Sequence, residues 1–177
     1  MTSFRTYQLE QTGNAYQLVK AELPRVPLAP GQVRIKVGAA SLNYRDMLIR
    51  AGHGGPVRPG LIPLSDGAGT VVEVGAGVTR WKLGDRVAPG FFASWREGRF
   101  QREHLASSLG GGRTDGVLSE EITAVEDAVV EVPAHLSLAE AATLPCAAVT
   151  AWHALMARGR LAAGDTVVIQ EIGRAHV

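Results

Sequence analysis

The chain is 177 residues long, 46% hydrophobic and 20% charged, with 18 Lys and Arg set against 17 Asp and Glu. That balance leaves no global charge to steer it toward nucleic acid or an anionic membrane, and the length suits one large domain or a domain with part of a second. Its one cysteine, Cys146, excludes an intrachain disulfide and a four-thiolate zinc site. The N-terminus "MTSFRTYQLE" has no apolar core of a secretory signal. The most apolar long segment, Leu138 to Met156, carries Glu140, Thr143, Pro145 and His153, which a membrane span avoids. A soluble cytoplasmic protein is expected.

Up to about residue 130 the pattern is one of short strands and turns. "GQVRIKV" alternates, Val33, Ile35 and Val37 on one face and Gln32, Arg34 and Lys36 on the other, which predicts a half-buried strand. "GTVVEVGAGV" predicts a second strand closed by a turn at Gly75-Ala76-Gly77, with Gly67 and Gly69 serving a turn into it at Thr70. "LGDRVAP" places a Gly84-Asp85 turn ahead of a third, and "ITAVEDAVVEVP" offers two more before Pro133. Between them "FFASWREGRFQREHLASSLGGGRTDG" has no period, and long irregular segments of this kind are often functional. Its "FFASW" fits either the lining of an apolar pocket or aromatic filling for the fold.

The character changes at Ser137. "SLAE" is a capping box, with Ser137 as N-cap and Glu140 three residues on. The helix it opens should be interrupted at Pro145, which lacks an N–H. A second helix with Val149, Trp152 and Met156 on one face follows and should end on Gly159 as a left-handed cap. "AAGDTVVIQ" then predicts a turn and a β-branched strand of the kind buried in a parallel sheet. That strand has no partner in this chain to satisfy its backbone.

Together, "AASLNYRDMLIRAG", "PLSDGAGTVVEVGAGVTRWKLGDRV" and "AATLPCAAVTAWHAL" resemble the medium-chain dehydrogenase/reductase superfamily. More narrowly they are similar to its zinc-independent, quinone-oxidoreductase-like members, often named NAD(P)-dependent alcohol dehydrogenases. The resemblance implies a mainly β, GroES-like, partly open barrel over residues 1–133. The first helices and first strand of an α/β Rossmann domain would follow over 134–170, with the active site in the cleft between the two. Zinc-dependent relatives have a Cys in the "SLNYRD" segment, a His-Glu before the "GAG" turn and a third ligand early in the joining helix. Here Asn43 stands at the first position, Ser65-Asp66 at the second and Cys146 at the third, and the 91–116 loop has no cysteine for a structural zinc. This donor set does not suit zinc, so no metal is expected.

The same resemblance puts a glycine-rich phosphate turn directly after "TVVIQ", whereas "EIGRAHV" offers Gly173 alone. Apart from its first base, a coding string for those seven residues matches a common sequencing-library adapter that runs on into a stop. Residues 171–177 are therefore expected to be a non-native tail on an N-terminal portion of a longer protein; a genuine alternative C-terminus is the other reading.

By resemblance the reaction is hydride transfer between NADP or NAD and a carbonyl, quinone or activated alkene, with a small-molecule substrate and a homo-oligomeric full-length enzyme. Asn43, Tyr44 and Arg45 would lie beside the nicotinamide ribose and phosphates. Asn43 and Tyr44 are the candidates for catalysis, as hydrogen-bond donors that stand in for the missing metal. Cys146 and Thr150, four residues apart, share a helix face and by resemblance meet the nicotinamide. Other readings are that Asn43 and Asp46 cap the chain, that Cys146 is a small core residue, and that Asp66 is a structural group or tunes a proton relay. Two further functions compete: a non-catalytic GroES-like interaction module, and a zinc alcohol dehydrogenase, against which the missing ligands count.

Overall fold

A computed structural model describes residues 2–169; the suspected tail at 171–177 lies outside them. The chain opens with a long hairpin, β1 (Ser3–Thr12) and β2 (Ala15–Pro24), in unbroken register from Ser3 opposite Pro24 to Thr12 opposite Ala15. Five further strands follow: β3 (Gln32–Ser41), β4 (Asp66–Val74), β5 (Arg86–Pro89), β6 (Glu121–Val125) and β7 (Val129–Glu131). They form one antiparallel sheet in the order β6-β3-β4-β5-β7. The fold is mainly β, a curled half-barrel, in line with the sequence pattern.

Hairpin and sheet are joined by the stretch leading into β6. Tyr7 N donates to Leu118 O (3.0 Å) and Glu120 N to Arg5 O (2.9 Å), while Val37 N donates to Glu120 O (2.9 Å). A residue's N–H and C=O point to the same edge of a strand, so Glu120 is a corner at which β1 and β3 meet end to end. The side chains repeat the tie. Arg5 Nε donates to Glu120 Oε1 at 2.8 Å, and Arg25 Nε donates to Glu121 Oε2 at 2.7 Å.

Val33 and Ile35 are buried as the alternation predicts, in a cluster with Val71, Val87 and Val129. Arg34 departs from it. It is 3% exposed, donates from Nε to Glu73 Oε2 (2.7 Å) and from Nη2 to Val26 O (2.6 Å), and borders a cavity of about 600 Å³. The curl turns the polar face of β3 toward the inside of the half-barrel, where a charge persists only with partners. Gly67 and Gly69 also depart from expectation, since both lie within β4 rather than at a turn. A Cβ on Gly69 would overlap Lys36 O, so β3 and β4 approach more closely there than any side chain allows.

Helix α1 (Tyr44–Arg50) follows β3, and Ile49 packs with Leu9 and Leu61. Helix α2 (Leu138–Ala142) starts at the expected box: Ser137 N donates to Glu140 Oε2 (2.7 Å) and Glu140 N to Ser137 Oγ (3.2 Å). Ala141 and Ala142 then pack on the sheet against Ala68, Ala88 and Val132.

The first helix breaks where expected, just ahead of Pro145: α2 ends at Ala142 with Thr143 as its C-cap. Pro145 then sits in the first turn of a new, π-helical stretch, Leu144–Ala148, where a missing N–H breaks no bond. The run continues as α3 (Val149–Trp152) and a second π stretch, His153–Arg158. Gly159 stays right-handed at φ −72°, and Arg160 takes the positive φ of 53° instead. Val149, Trp152 and Met156 share no core among the described residues and are exposed. Thr166–Ile169, expected as a strand, pairs with nothing among the described residues, and Val168 and Ile169 are each 81% exposed. Without neighbouring strands an apolar, β-branched run has no ladder to join.

The irregular segment carries a 3₁₀ turn, Arg102–Ser107. Its aromatic side chains pack on one another, Trp95 stacking on His104 (5.4 Å between centroids, 11° between planes) beside Phe92 and Phe100. Ala93 alone of "FFASW" borders the cavity. Among the described residues no helix is long and apolar enough to cross a membrane.

The close approach at Gly69 is testable. Gly69→Ala forces the β3 and β4 backbones apart, an overpacking cost of about 1–3 kcal/mol, read as a lower urea midpoint. An unchanged midpoint would mean that β3 yields to the added carbon.

Candidate functional site

The start of β4 is the centre of the site, and it is prepared by strain. Leu64 is buried and has φ +71°, a conformation that costs a non-glycine residue about 1–3 kcal/mol. It is held there by pairing with the segment before β6: Val117 N donates to Leu64 O (3.0 Å) and Leu118 N to Pro63 O (3.1 Å). The chain then enters Ser65 and Asp66, both fully buried. Asp66 Oδ1 accepts from Ser65 Oγ at 2.6 Å, and Oδ2 accepts from the backbone N of Cys146 at 2.8 Å. On its other side Asp66 is the strand partner of Ser41, two residues before Asn43.

Asn43 is the N-cap of α1. Its backbone N donates to Asp46 Oδ2 (2.8 Å), and its carbonyl accepts from Asp46 N (2.9 Å). The capping reading is therefore correct for the backbone. The side chain is another matter: Asn43 Nδ2 is buried with no hydrogen-bond partner among the described residues, as is Asp46 Oδ1. Native interiors rarely leave an amide donor unpaired, which makes Asn43 a candidate binding residue.

Arg45 is held by the protein on several sides. Nη1 donates to Leu109 O (2.9 Å) and lies 3.8 Å from Asp46 Oδ1, while the guanidinium covers the Phe91 ring at 4.7 Å. Burial lowers its pKa from the ordinary arginine value, and Asp46, Cys146 and Asp66 oppose that shift. Burial raises the Asp46 carboxyl, against the bond from Asn43 and the charge of Arg45. Tyr44, between Asn43 and Arg45 in the chain, is 59% exposed on the surface of α1.

Cys146 is partly buried and Thr150 exposed, and the two lie four residues apart in one helical run, with Thr150 close enough to bear on the thiol's titration. Burial pushes the Cys146 thiol above its usual range; Asp66 adds to this, and Arg45 opposes it. Burial and Asp66 both disfavour the thiolate, the nucleophilic form of the sulfur. The structure therefore brings Asn43, Arg45, Asp46, Asp66, Cys146 and Thr150 into one electrostatic neighbourhood. Among the described residues no group of three or more His, Cys, Asp and Glu is placed to hold a metal ion. The sequence draws attention to Asp66 without revealing its partner across 80 residues, and nothing in it marks Leu64 as strained.

The raised thiol has a measurable consequence. Alkylation of Cys146 by iodoacetamide should follow a pH profile whose midpoint lies above that of an ordinary exposed cysteine. A midpoint at or below the ordinary value would contradict the burial and the facing Asp66 carboxylate.

Comparison with known proteins agrees with this architecture. The alcohol dehydrogenase GroES-like domain family matches residues 29–134. A zinc-type alcohol dehydrogenase-like protein of Schizosaccharomyces pombe is 40% identical over 152 residues, 84% of this chain and 44% of its own length. A solved chain from Sinorhizobium meliloti 1021, assigned as an alcohol dehydrogenase, superposes with a TM-score of 0.83 at 37% identity, over 93% of this chain and 49% of that one. A solved NAD-dependent alcohol dehydrogenase superposes with a TM-score of 0.77 at 27% identity, over 92% and 49%. The chain spans about half the length of the relatives it matches. The half-barrel, its order of strands and these matches place the chain in the alcohol dehydrogenase GroES-like domain family of the medium-chain dehydrogenase/reductase superfamily.

Proposed function

We propose that the whole protein is an NAD(P)-dependent oxidoreductase that works without zinc, moving a hydride to or from a carbonyl, a quinone or an activated alkene. Residues 1–133 would form the substrate-side domain, and 134–170 would open the nucleotide domain. Family membership and the likeness to an NAD-dependent alcohol dehydrogenase support the reaction class. One observation carries the site: Nδ2 of Asn43, at the N-cap of α1, is buried with no partner among the described residues.

The nicotinamide, when bound, supplies or receives the hydride. This chain supplies the surroundings. Asn43 Nδ2 donates to the substrate oxygen on which negative charge develops, a preformed donor that needs no reorganisation. Cys146 and Thr150 present a thiol and a hydroxyl to the nicotinamide. Arg45, fixed to Leu109 O and Phe91, keeps α1 seated so that Nδ2 stays aimed, and Tyr44 would lie beside the nicotinamide ribose and phosphates, as the resemblance implies.

Independence from zinc is supported by the chemistry of the donors. Asn43 offers an amide, both Asp66 oxygens already accept protein hydrogen bonds, and Cys146 is the chain's one thiol. Zinc calls for deprotonated sulfur, imidazole nitrogen or free carboxylate oxygen in tetrahedral array. On this reading the 177 residues alone turn over no substrate, because the relatives they match are about twice as long.

Two experiments on the full-length protein test this. Consumption of NAD(P)H with a panel of ketones, quinones and enones should persist after treatment with a strong zinc chelator; loss on chelation, restored by zinc, overturns the zinc-free reading. Asn43→Asp keeps a good N-cap and removes the donor, and should lower kcat by about 100–1,000-fold, the range for loss of one oxyanion donor. An unchanged kcat would remove Asn43 from the chemistry.

A further inference from the structure

We propose that Asp66 is a positioning residue, which locks the π-helical start of the joining helix to β4 and so sets the face bearing Cys146 and Thr150 against Asn43. For its catalytic arm this rests on the oxidoreductase reading above.

The argument starts from burial. Asp66 is 0% exposed and Ser65 likewise. A carboxylate in such a place is costly, and an apolar side chain of similar volume is often no worse for stability. Each oxygen of Asp66 nevertheless accepts from a directed donor, the Ser65 hydroxyl at 2.6 Å and the Cys146 N–H at 2.8 Å. Bonds to a charged acceptor are short and geometrically demanding.

The second bond falls where the helix changes register. Pro145 has no N–H, and the next donor along the chain points at Asp66. From Leu144 to Ala148 the helix runs as π, with Val149 N donating back to Leu144 O. A π turn takes more residues than an α turn, so it rotates everything that follows it about the helix axis. Thr150 lies immediately beyond, in α3, four residues after Cys146. With the donor at Pro145 already missing, the bond to Asp66 is what holds this phase.

Asp66 also faces the other half of the site. Its strand partner is Ser41, and the chain passes directly from there through Leu42 to Asn43. One carboxylate thus stands between the Asn43 segment and the Cys146–Thr150 face.

The experiment uses the full-length protein with Asp66→Asn, Asp66→Ala and Ser65→Ala, read by hydrogen exchange across 144–150, by peptide-level alkylation of Cys146, and by kcat and KM for NAD(P)H. The asparagine of Asp66→Asn can still accept from Cys146 N, while its amide donates to Ser65 Oγ. Asp66→Ala should speed exchange of the Cys146 amide by about tenfold or more, speed alkylation, lower kcat and raise KM together; Asp66→Asn should stay within about threefold of wild type in all of these. If Asp66→Ala does not fold, Ser65→Ala carries the test, with a smaller rise in exchange confined to 144–150. Unchanged exchange in the alanine variant that folds, or equal damage in Asp66→Asn and Asp66→Ala, overturns the positioning role. If exchange responds as stated but the wild-type protein has no nicotinamide-dependent activity, the oxidoreductase reading fails and the anchor stands.

Discussion

The structure depends on the corner at Glu120. A hairpin and a five-stranded sheet each expose unpaired edges, and exposed edges invite pairing with other chains. Here one stretch of chain pairs with β1 through Leu118 and Glu120 and with β3 through the rest of β6. Because both partners lie along the same edge, the sheet is forced to bend. That bend encloses the cavity, carries Arg34 inward and brings the 62–64 segment against 116–118. Consecutive glutamates fix it from the side chains, Glu120 on Arg5 and Glu121 on Arg25. The first pair is exposed and adds little by itself in water; the second is more sheltered and sits at the mouth of the cavity.

The candidate site follows from the same bend. Pairing of Val117 with Leu64 holds the left-handed turn that delivers Ser65 and Asp66 into the interior. From there Asp66 reaches the joining helix and borders the chain leading to Asn43. The polar groups of the site are thus set by a continuous path of backbone pairing that begins far from it, at the tip of the closure between hairpin and sheet.

Much of the fold is legible in the sequence where information is local. Val33, Ile35 and Val37 alternate, Ser137 and Glu140 form their box at the expected spacing, and the turns around Gly77 and Gly84 lie where the glycines put them. What cannot be read is what distance in sequence hides. Arg34 looks like a solvent-facing residue until the curl places Glu73 and Val26 beside it. Pro145 reads correctly as a break, but nothing local shows that the neighbouring N–H finds Asp66. Gly159 reads as the left-handed cap, but the π register moves that task to Arg160. "TVVIQ" has the composition of a buried strand, and composition alone supplies no partner. In the site, Asn43, Cys146 and Thr150 are visible from the resemblance, whereas the anchor role of Asp66 depends on a contact spanning 80 residues.

Arg45 and Gly111 make a second long-range pair. A Cβ on Gly111 would overlap Arg45 Nη2, and the guanidinium has little room to withdraw, since Leu109 O and the Phe91 ring fix it. The two positions therefore form a lock and a vacancy that must change together: a side chain at 111 requires a shorter residue at 45. In any set of aligned relatives this coupling would surface as covariation between a glycine of the long irregular loop and the helix beside the site. It would identify that loop as a structural extension of the site rather than a free surface feature.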